Sequence, residues 1–441
     1  MPQRSLRPTA QRTPYLPQER IKPMKTKKYI ALATVSLLLF QNPVPLCANT
    51  KPNRLLKWLK KLRQITRYEI QMAQKTLRTK LLPPLYPHFQ PNTYQQASLT
   101  LHHSIPILRL YGTPYQMGYQ HGKLLSKQIR QLQQRYLNTF LADNRQKALE
   151  ISKKMAPFIP PHLKQEIQGI ADGAGLPYSE ILLAHTFLDI YRMSACSTIA
   201  ITPTRSQLNS TLFARNLDFP SLGIAHRFSI VIVYHPKQGK KIVSIAWPGM
   251  AGALTGWNEN SLALGVMVVH FENDTQIGIP MTLLYRSILE NASNVSQAVN
   301  ILKQSRLTVA NNLMLVDAQH ACVAELLPSN PQFRYPQHHW IYSTNHFQTS
   351  FLKKYFPSLT YTSSYLRAKI IYRYLKKAPP KINIPYLQHI LKAVCIKGIN
   401  LQSMIILPTK RSVYLSLGSD EAARKKFILL TWQQLIHTTQ P

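Results

Sequence analysis

Between Ala195 and Phe219 the chain reads ACSTIAITPTRSQLNSTLFARNLDF. Two short runs rich in β-branched and apolar residues, Ser197 to Thr202 and Thr211 to Leu217, flank a loop at Pro203 to Asn209, a pattern that predicts a hairpin. The texture of the chain changes here. Upstream, helical spacing dominates from about Tyr115 to residue 190, with breaks at Pro157 to Pro161 and Gly173 to Pro177. Downstream, short strands are expected at Phe228 to Tyr234, Lys241 to Trp247, Gly252 to Trp257 and Leu262 to Val269.

Helices are then expected over Met281 to Asn291 and Val295 to Gln304, followed by strands at Leu313 to Asp317, Cys322 to Leu326 and Trp340 to Ser343. A helical tract at Ser363 to Leu375 and Ile384 to Cys395 precedes strands near Ser403 to Leu407 and Val413 to Leu417. A helical block, then strands, helices and strands again, predicts an α+β layered domain with two antiparallel sheets and helices packed outside them. No internal repeat is visible.

With 441 residues, 45% of them apolar, the chain has material for one large core or two moderate ones. Residues 1–23, rich in Pro, Arg and Gln, are read as a non-native or disordered extension. Residues 24–48 read as a signal peptide: Met24-Lys25-Thr26-Lys27-Lys28, the apolar run from Tyr29 to Phe40, and a cleavage point after Ala48. The apolar run is short of the roughly 20 residues that a membrane span needs. This predicts an exported protein, periplasmic or secreted. Residues 49–100 are read as a basic amphipathic helix from Arg54 to Lys80 and a Pro-rich linker, with the main body starting near Ser104 and dividing into 101–195 and 196–441.

The net charge of +37, from 54 Lys plus Arg against 17 Asp plus Glu, favours anionic partners. The basic helix makes an anionic membrane surface one such partner, although a helix packed on the body by its Leu/Trp/Ile stripe explains it equally well. Nucleic acid is disfavoured by the export signal and by charge spread along the chain without a zinc-finger, helix-turn-helix or RNA-binding pattern. Cys47, Cys196, Cys322 and Cys395 form no close-spaced cluster, so no zinc site and no disulfide framework is legible, and Cys322 and Cys395 read as buried unpaired thiols.

Cys196 heads the first strand of the hairpin. Were the Ala195–Cys196 bond cut, one residue would hold a thiol nucleophile and, in its freed α-amine, a base with a pKa of about 7.7 to 8.0. Hairpin pairing would return Arg215 and Asp218 to the thiol. Three apart on an extended chain, they point to opposite faces, and a bend near Asn216 would be needed to aim both at one site. Asp218 could then accept from the amine and Arg215 lower the thiol pKa. Asn345, in Ser343-Thr344-Asn345-His346-Phe347, is a candidate oxyanion donor. Each element has a plainer explanation: a buried structural cysteine, a salt bridge, a strand cap. Papain-like pairing of Cys196 with His270 or His346 is a second reading, but it lacks the helix start that usually follows such a nucleophile. A catalytically idle lipid- or polymer-binding protein is a third.

Four blocks together resemble the acyl-coenzyme A:6-aminopenicillanate acyltransferase family of N-terminal nucleophile hydrolases, and more distantly the choloylglycine hydrolases and acid-ceramidase-type amidases. They are Tyr111-Gly112-Thr113-Pro114-Tyr115-Gln116-Met117-Gly118-Tyr119-Gln120-His121-Gly122; Ala195-Cys196-Ser197 with Ala214-Arg215-Asn216-Leu217-Asp218-Phe219; Thr255-Gly256-Trp257-Asn258-Glu259-Asn260 with Leu262-Ala263-Leu264-Gly265; and Thr344-Asn345-His346-Phe347. The resemblance implies an αββα sandwich with a helical N-terminal segment, self-cleavage before Cys196 into two fragments that stay associated, and no metal or organic cofactor. It implies Cys196 as nucleophile and base, Asp218 orienting its amine, Arg215 supporting the site and Asn345 in the oxyanion hole. Its substrate would be a small N-acyl molecule with a linear amide or thioester bond, the acyl group passing to water or to an amine. A structural role is implied for His121. Two positions depart from the pattern. Ala195 stands where a glycine often precedes the nucleophile, and His270 where bile-salt hydrolases carry an asparagine. Arg367, in Ser363-Ser364-Tyr365-Leu366-Arg367, is a further substrate-binding candidate along with His270.

Overall fold

The computed structural model describes residues 89–191, 194–269, 277–328, 330–353, 362–418 and 421–437. The proposed signal peptide, the basic helix and His270 lie outside them.

The helical block begins with α1 (Pro114–Gln131), α2 (Arg145–Met155), α3 (Pro161–Ala174) and α4 (Tyr178–Ile190), with breaks at the Pro- and Gly-bearing positions the sequence marks. Thr113 caps α1 in a reciprocal box with Gln116, and Pro114 sits at its first position, where a missing N–H costs nothing. Glycines then let α1 and α3 meet backbone to backbone. A Cβ on Gly118 would lie 2.1 Å from Glu166 O, on Gly122 2.3 Å from Ile170 O, and on Gly173 2.3 Å from Tyr119 O. The Tyr111 to Gly122 block is therefore a helix start and a helix-crossing motif.

The strands are β1 (Asn92–Tyr94), β2 (Ala97–His102), β3 (Ile105–Gly112), β4 (Ala195–Ile201), β5 (Leu212–Asp218), β6 (Ile230–Pro236), β7 (Ile242–Ala246), β8 (Thr255–Asn258), β9 (Ala263–Val268), β10 (Asn311–Val316), β11 (Ala321–Leu326), β12 (Gln332–Arg334), β13 (Trp340–Ser343), β14 (Asn400–Leu407), β15 (Ser412–Leu417) and β16 (Ile428–Leu430). One sheet runs β1-β2-β3-β6-β7-β8-β9-β10-β11-β12 and the other β13-β4-β5-β14-β15-β16. The expectation of purely antiparallel sheets fails at one junction, where β3 pairs parallel with β6 and Ile107 stands opposite Val231. The α1–α4 block and the β4–β5 hairpin of the other sheet together form the long connection between them, and a parallel pair requires such a crossover. A second correction concerns the linker: Asn92 to His102 are sheet strands, so the body begins well before Ser104.

The remaining main helices are α5 (Met281–Asn291), α6 (Val295–Gln304), α7 (Thr362–Lys376), α8 (Ile384–Val394) and the short α9 (Trp432–Ile436). Helices α1, α5 and α6 contact the larger sheet, α7 and α8 the smaller one, and β4 lies against β9 and β10. Alternation along the hairpin sets the layers. Ile199, Ile201, Leu212 and Ala214 point outward into a core with Ile371, Leu375, Leu387 and Leu391 of α7 and α8. Cys196, Arg215 and Phe213 take the opposite face, toward the larger sheet, where a Cβ on Gly265 would meet Phe213 and Arg215. The order is helix, sheet, sheet, helix.

Candidate active site

The β4–β5 hairpin places Ala195 opposite Asp218, Cys196 opposite Leu217 and Thr198 opposite Arg215. β5 is continuous from Leu212 to Asp218, so the bend expected near Asn216 is absent. Arg215 and Asp218 do lie on opposite faces of the sheet, and they flank Cys196 from its two sides.

On the inner face, Cys196 is 1% exposed and Arg215 Nη2 donates to its Sγ at 3.6 Å. Arg215 Nη1 donates to Val266 O at 2.6 Å and contacts Met267 Sδ at 3.7 Å. The side chain is fully buried, and no carboxylate hydrogen-bonds to it among the described residues. A buried guanidinium costs several kcal/mol unless an anion is near, and the hydrogen-bonded group able to become one is the Cys196 sulfur. Burial still dominates at the thiol and pushes its pKa up, with Arg215 pulling the other way.

On the outer face, Asp218 Oδ1 accepts from Asn400 Nδ2 at 2.8 Å and from the Ile396 N–H at 3.3 Å. Its Oδ2 is buried with no hydrogen-bond partner. Burial raises this carboxyl to about 6, against the pull of Arg367 and the two hydrogen bonds.

Asn345 reaches the hairpin from the turn after β13. Its Oδ1 accepts from the Cys196 N–H at 2.8 Å, and its Nδ2 donates to Ser194 O at 3.1 Å and Val268 O at 2.8 Å. Both amide hydrogens are thereby engaged, and the side chain holds the peptide around Cys196. Arg367, on α7, completes the clamp. Its Nη1 donates to Cys196 O and, at 2.9 Å, to Ser197 Oγ, while Nη2 donates to Asn345 Oδ1 at 2.9 Å.

Two residues that the sequence reading passed over hold this turn. Ser364 Oγ accepts from the Asn345 N–H at 2.8 Å and lies 2.7 Å from His346 Nδ1, and Asn312 Nδ2 on β10 donates to Thr344 O and His346 O at 2.9 and 2.8 Å. A buried Asn inside the apolar Asn311-Asn312-Leu313-Met314-Leu315-Val316 run is the one sequence signal for this pair. His346 bonds to Thr344 and Ser364, and Cys196 opens a strand, so the papain-like arrangement gains nothing from the geometry. His121 Nε2 accepts from the Gly249 N–H at 2.8 Å, a structural role, with burial holding its pKa near about 3. Cys322 is a buried free thiol and Cys395 a free one only half-buried, a correction to the expectation for the latter. Among the described residues no group of three or more His, Cys, Asp and Glu could hold a metal ion.

Helix–sheet–sheet–helix layers with a cysteine at the head of an inner strand define an N-terminal-nucleophile hydrolase sandwich. Within that class, the model of the acyl-coenzyme A:6-aminopenicillanic acid acyl-transferase family matches residues 205–419, just under half of the chain. It is 28% identical over 233 residues to Protein dcd1A of Dictyostelium discoideum, covering 44% of this chain and 52% of that one. It is 24% identical over 262 residues to the beta-alanyl-dopamine/carcinine hydrolase of Drosophila melanogaster, covering 51% and 66%. Among solved structures, the N-acylethanolamine-hydrolyzing acid amidase ortholog of Caenorhabditis elegans aligns with a TM-score of 0.40 at 14% identity, over 48% of this chain and 93% of that one. The chain spans about half the length of the curated relatives it matches.

Proposed function

We propose that the chain is an autoproteolytic cysteine amidohydrolase or acyltransferase that cleaves linear amide or thioester bonds through an acyl-enzyme on Cys196. The observation that carries this reading is the clamp on both ends of the nucleophile's own peptide units: Asn345 on the Cys196 N–H and Arg367 on the Cys196 carbonyl. The Drosophila melanogaster relative is named a beta-alanyl-dopamine/carcinine hydrolase, and a hydrolase agrees with this reading.

In the maturation step the Cys196 sulfur adds to the Ala195 carbonyl carbon. The C–N bond then breaks, the thiol proton passes to the departing nitrogen, and a thioester to Ala195 remains. Water hydrolyses that thioester, leaving an Ala195 carboxylate, a free thiol and the α-amine of Cys196. Asp218 Oδ2, lacking a partner in the uncut chain, is the natural acceptor for the new ammonium. Release of residue 194 would free an Nδ2 hydrogen of Asn345 to donate to a substrate oxyanion.

In turnover the α-amine takes the thiol proton, the thiolate adds to the substrate carbonyl, and the ammonium returns the proton to the leaving amine. Water or an acceptor amine then takes the acyl group. Export, a membrane surface as partner and association of the two fragments belong to the same proposal. The parallel β3–β6 pair supports the last of these, because it joins segments from opposite sides of the cut.

Intact mass after expression tests the reading. Two fragments meeting at Ala195 and Cys196, absent from Cys196→Ala, together with hydrolysis of N-acyl amides, are expected. A single chain that also resists thiol-directed acylating reagents would overturn it.

A further inference from the structure

An apolar cavity of about 110 Å³ lies where α4, the π-helical turn Leu132–Leu137, Phe219 and the Trp247–Met250 loop meet. Its aromatic wall is continuous. Tyr136 and Phe187 have ring centroids 6.4 Å apart, Tyr136 and Phe219 6.2 Å, and Phe219 and Trp247 6.0 Å. Phe219 directly follows Asp218, which pairs with Ala195, so this wall starts one residue from the strand position facing the bond to be cut. A π turn inside a helical run is uncommon and is often found at functional sites.

One polar side chain in this wall keeps an unused group. Gln133 is 7% exposed, and its Nε2 donates to Glu180 O at 2.6 Å. A carbonyl partner fixes which end of the amide is nitrogen. That leaves Gln133 Oε1 buried and unpartnered, an expensive state unless a ligand supplies a donor. The hydroxyl of Tyr136, by contrast, donates to Pro220 O at 2.7 Å.

The loop forming the far wall is held rigid by side chains from four elements. His121 Nε2 takes the Gly249 N–H at 2.8 Å and His185 Nε2 the Ala251 N–H at 2.8 Å. The Tyr234 hydroxyl donates to Met250 O at 3.2 Å and Arg286 Nη1 to Ala251 O at 3.1 Å. Both imidazoles accept a hydrogen bond and so must be neutral. Burial ensures it, lowering His121 to about 3 and His185 to about 4. A wall ordered in advance adds no ordering cost when a ligand enters.

We propose that this cavity is the acyl-binding site, and that it takes a compact, ring-sized apolar acyl group bearing one hydrogen-bond donor, received by Gln133 Oε1. The inference rests on Cys196 as the acyl acceptor. A cavity of about 150 Å³ holds a single benzene, and this one is of that order, so one ring fits it.

Phenol and toluene, one ring with and without a donor, are the probes, read by Trp247 fluorescence in the full-length protein and its Cys196→Ala variant. Ala184 of α4 lines the cavity, and saturable binding of both is expected, lost in Trp247→Phe as signal and in Ala184→Phe as binding. Gln133→Leu weakens phenol against toluene by about 5-fold, the worth of one net hydrogen bond. No saturable binding, or equal affinities in folded Ala184→Phe, overturns the proposal. Should Ala184→Phe not fold, an unchanged phenol-to-toluene ratio in Gln133→Leu overturns it alone. With anilides of acetic, 3-phenylpropanoic and hexadecanoic acids, the 3-phenylpropanoyl substrate should be cleaved fastest, and Ala184→Phe should abolish that preference. Ring binding without any amide cleavage would sink the Cys196 reading and leave the cavity as a ring-binding site. Cleavage with no preference among the three would sink the cavity's role and leave the enzyme.

Discussion

Asn345 Oδ1 accepts the Cys196 N–H at 2.8 Å while Nδ2 of the same side chain donates to Ser194 O at 3.1 Å. One planar amide thus fixes the chain on both sides of Ala195. Such positioning is worth about 100-fold in rate where the reacting atoms must meet within a narrow geometry. Asn345→Ala should slow the appearance of the two fragments by about that factor, followed by intact mass over hours, with circular dichroism confirming an unchanged fold. An undiminished rate would remove Asn345 from the maturation step.

Burial raises the Cys196 thiol above its ordinary range and Arg215 only partly offsets it, so the reactive thiolate is scarce at neutral pH. Self-cleavage should therefore accelerate from pH 7 through pH 9 and still be rising there. Arg215→Met removes the offset and should slow cleavage by about tenfold at pH 7. A rate independent of pH over this range would mean that thiol ionisation does not limit the step.

The Asp218 carboxyl, raised by burial to about 6 from an unfolded value near 3.8, gives a stability prediction for the uncut chain. The folded state holds its proton more tightly than the unfolded state does. The associated stability is therefore fully present below pH 3.8 and lost as pH rises through 6. Asp218→Asn keeps an acceptor for Asn400 and sheds the buried charge. In a Cys196→Ala background it should raise the melting temperature at pH 8, by a free energy on the order of a few kcal/mol, and change it little at pH 4. Equal shifts at both pH values would show that the Asp218 charge is not what burial penalises.

Much of this architecture is legible in the chain because period-2 and period-3.6 patterns report burial directly. Met281–Asn291, Val295–Gln304 and Trp340–Ser343 fall at the expected residues, since each has one face against a layer and a Pro, Ser or Asn at its edge. Asn92 to His102 escaped because a Pro- and Gln-rich approach masks a strand only six residues long. At the site, residue types and spacing pointed to Cys196, Arg215, Asp218 and Asn345, and a loose match pointed to Arg367. Sequence could not supply the direction of their bonds. Whether an Asn side chain donates to an oxyanion or holds a peptide N–H depends on atoms that arrive from β9 and α7. Ser364 is illegible for the same reason: a serine in the first turn of α7 differs from its neighbour Ser363 only in the turn it touches.

Gly265 explains part of the block running from Thr255 to Gly265, and it yields a prediction that couples packing to chemistry. β9 crosses the hairpin where Arg215 must pass between the sheets. A Cβ at Gly265 would lie 2.8 Å from Phe213 Cζ and 3.1 Å from both Cδ and Nη1 of Arg215. Either side chain must yield, at a cost of about 1–3 kcal/mol in an overpacked core. Because Arg215 Nη1 is tied to Val266 O one residue away, displacing the guanidinium also draws Nη2 away from the Cys196 sulfur. Gly265→Ala should lower the melting temperature by several degrees and slow self-cleavage in parallel. Phe213→Leu in the same chain opens room on one side of the new methyl group, letting Arg215 return, and should recover most of the rate. If Gly265→Ala lowers stability but leaves the cleavage rate intact, the contact between Arg215 and Cys196 has no part in maturation.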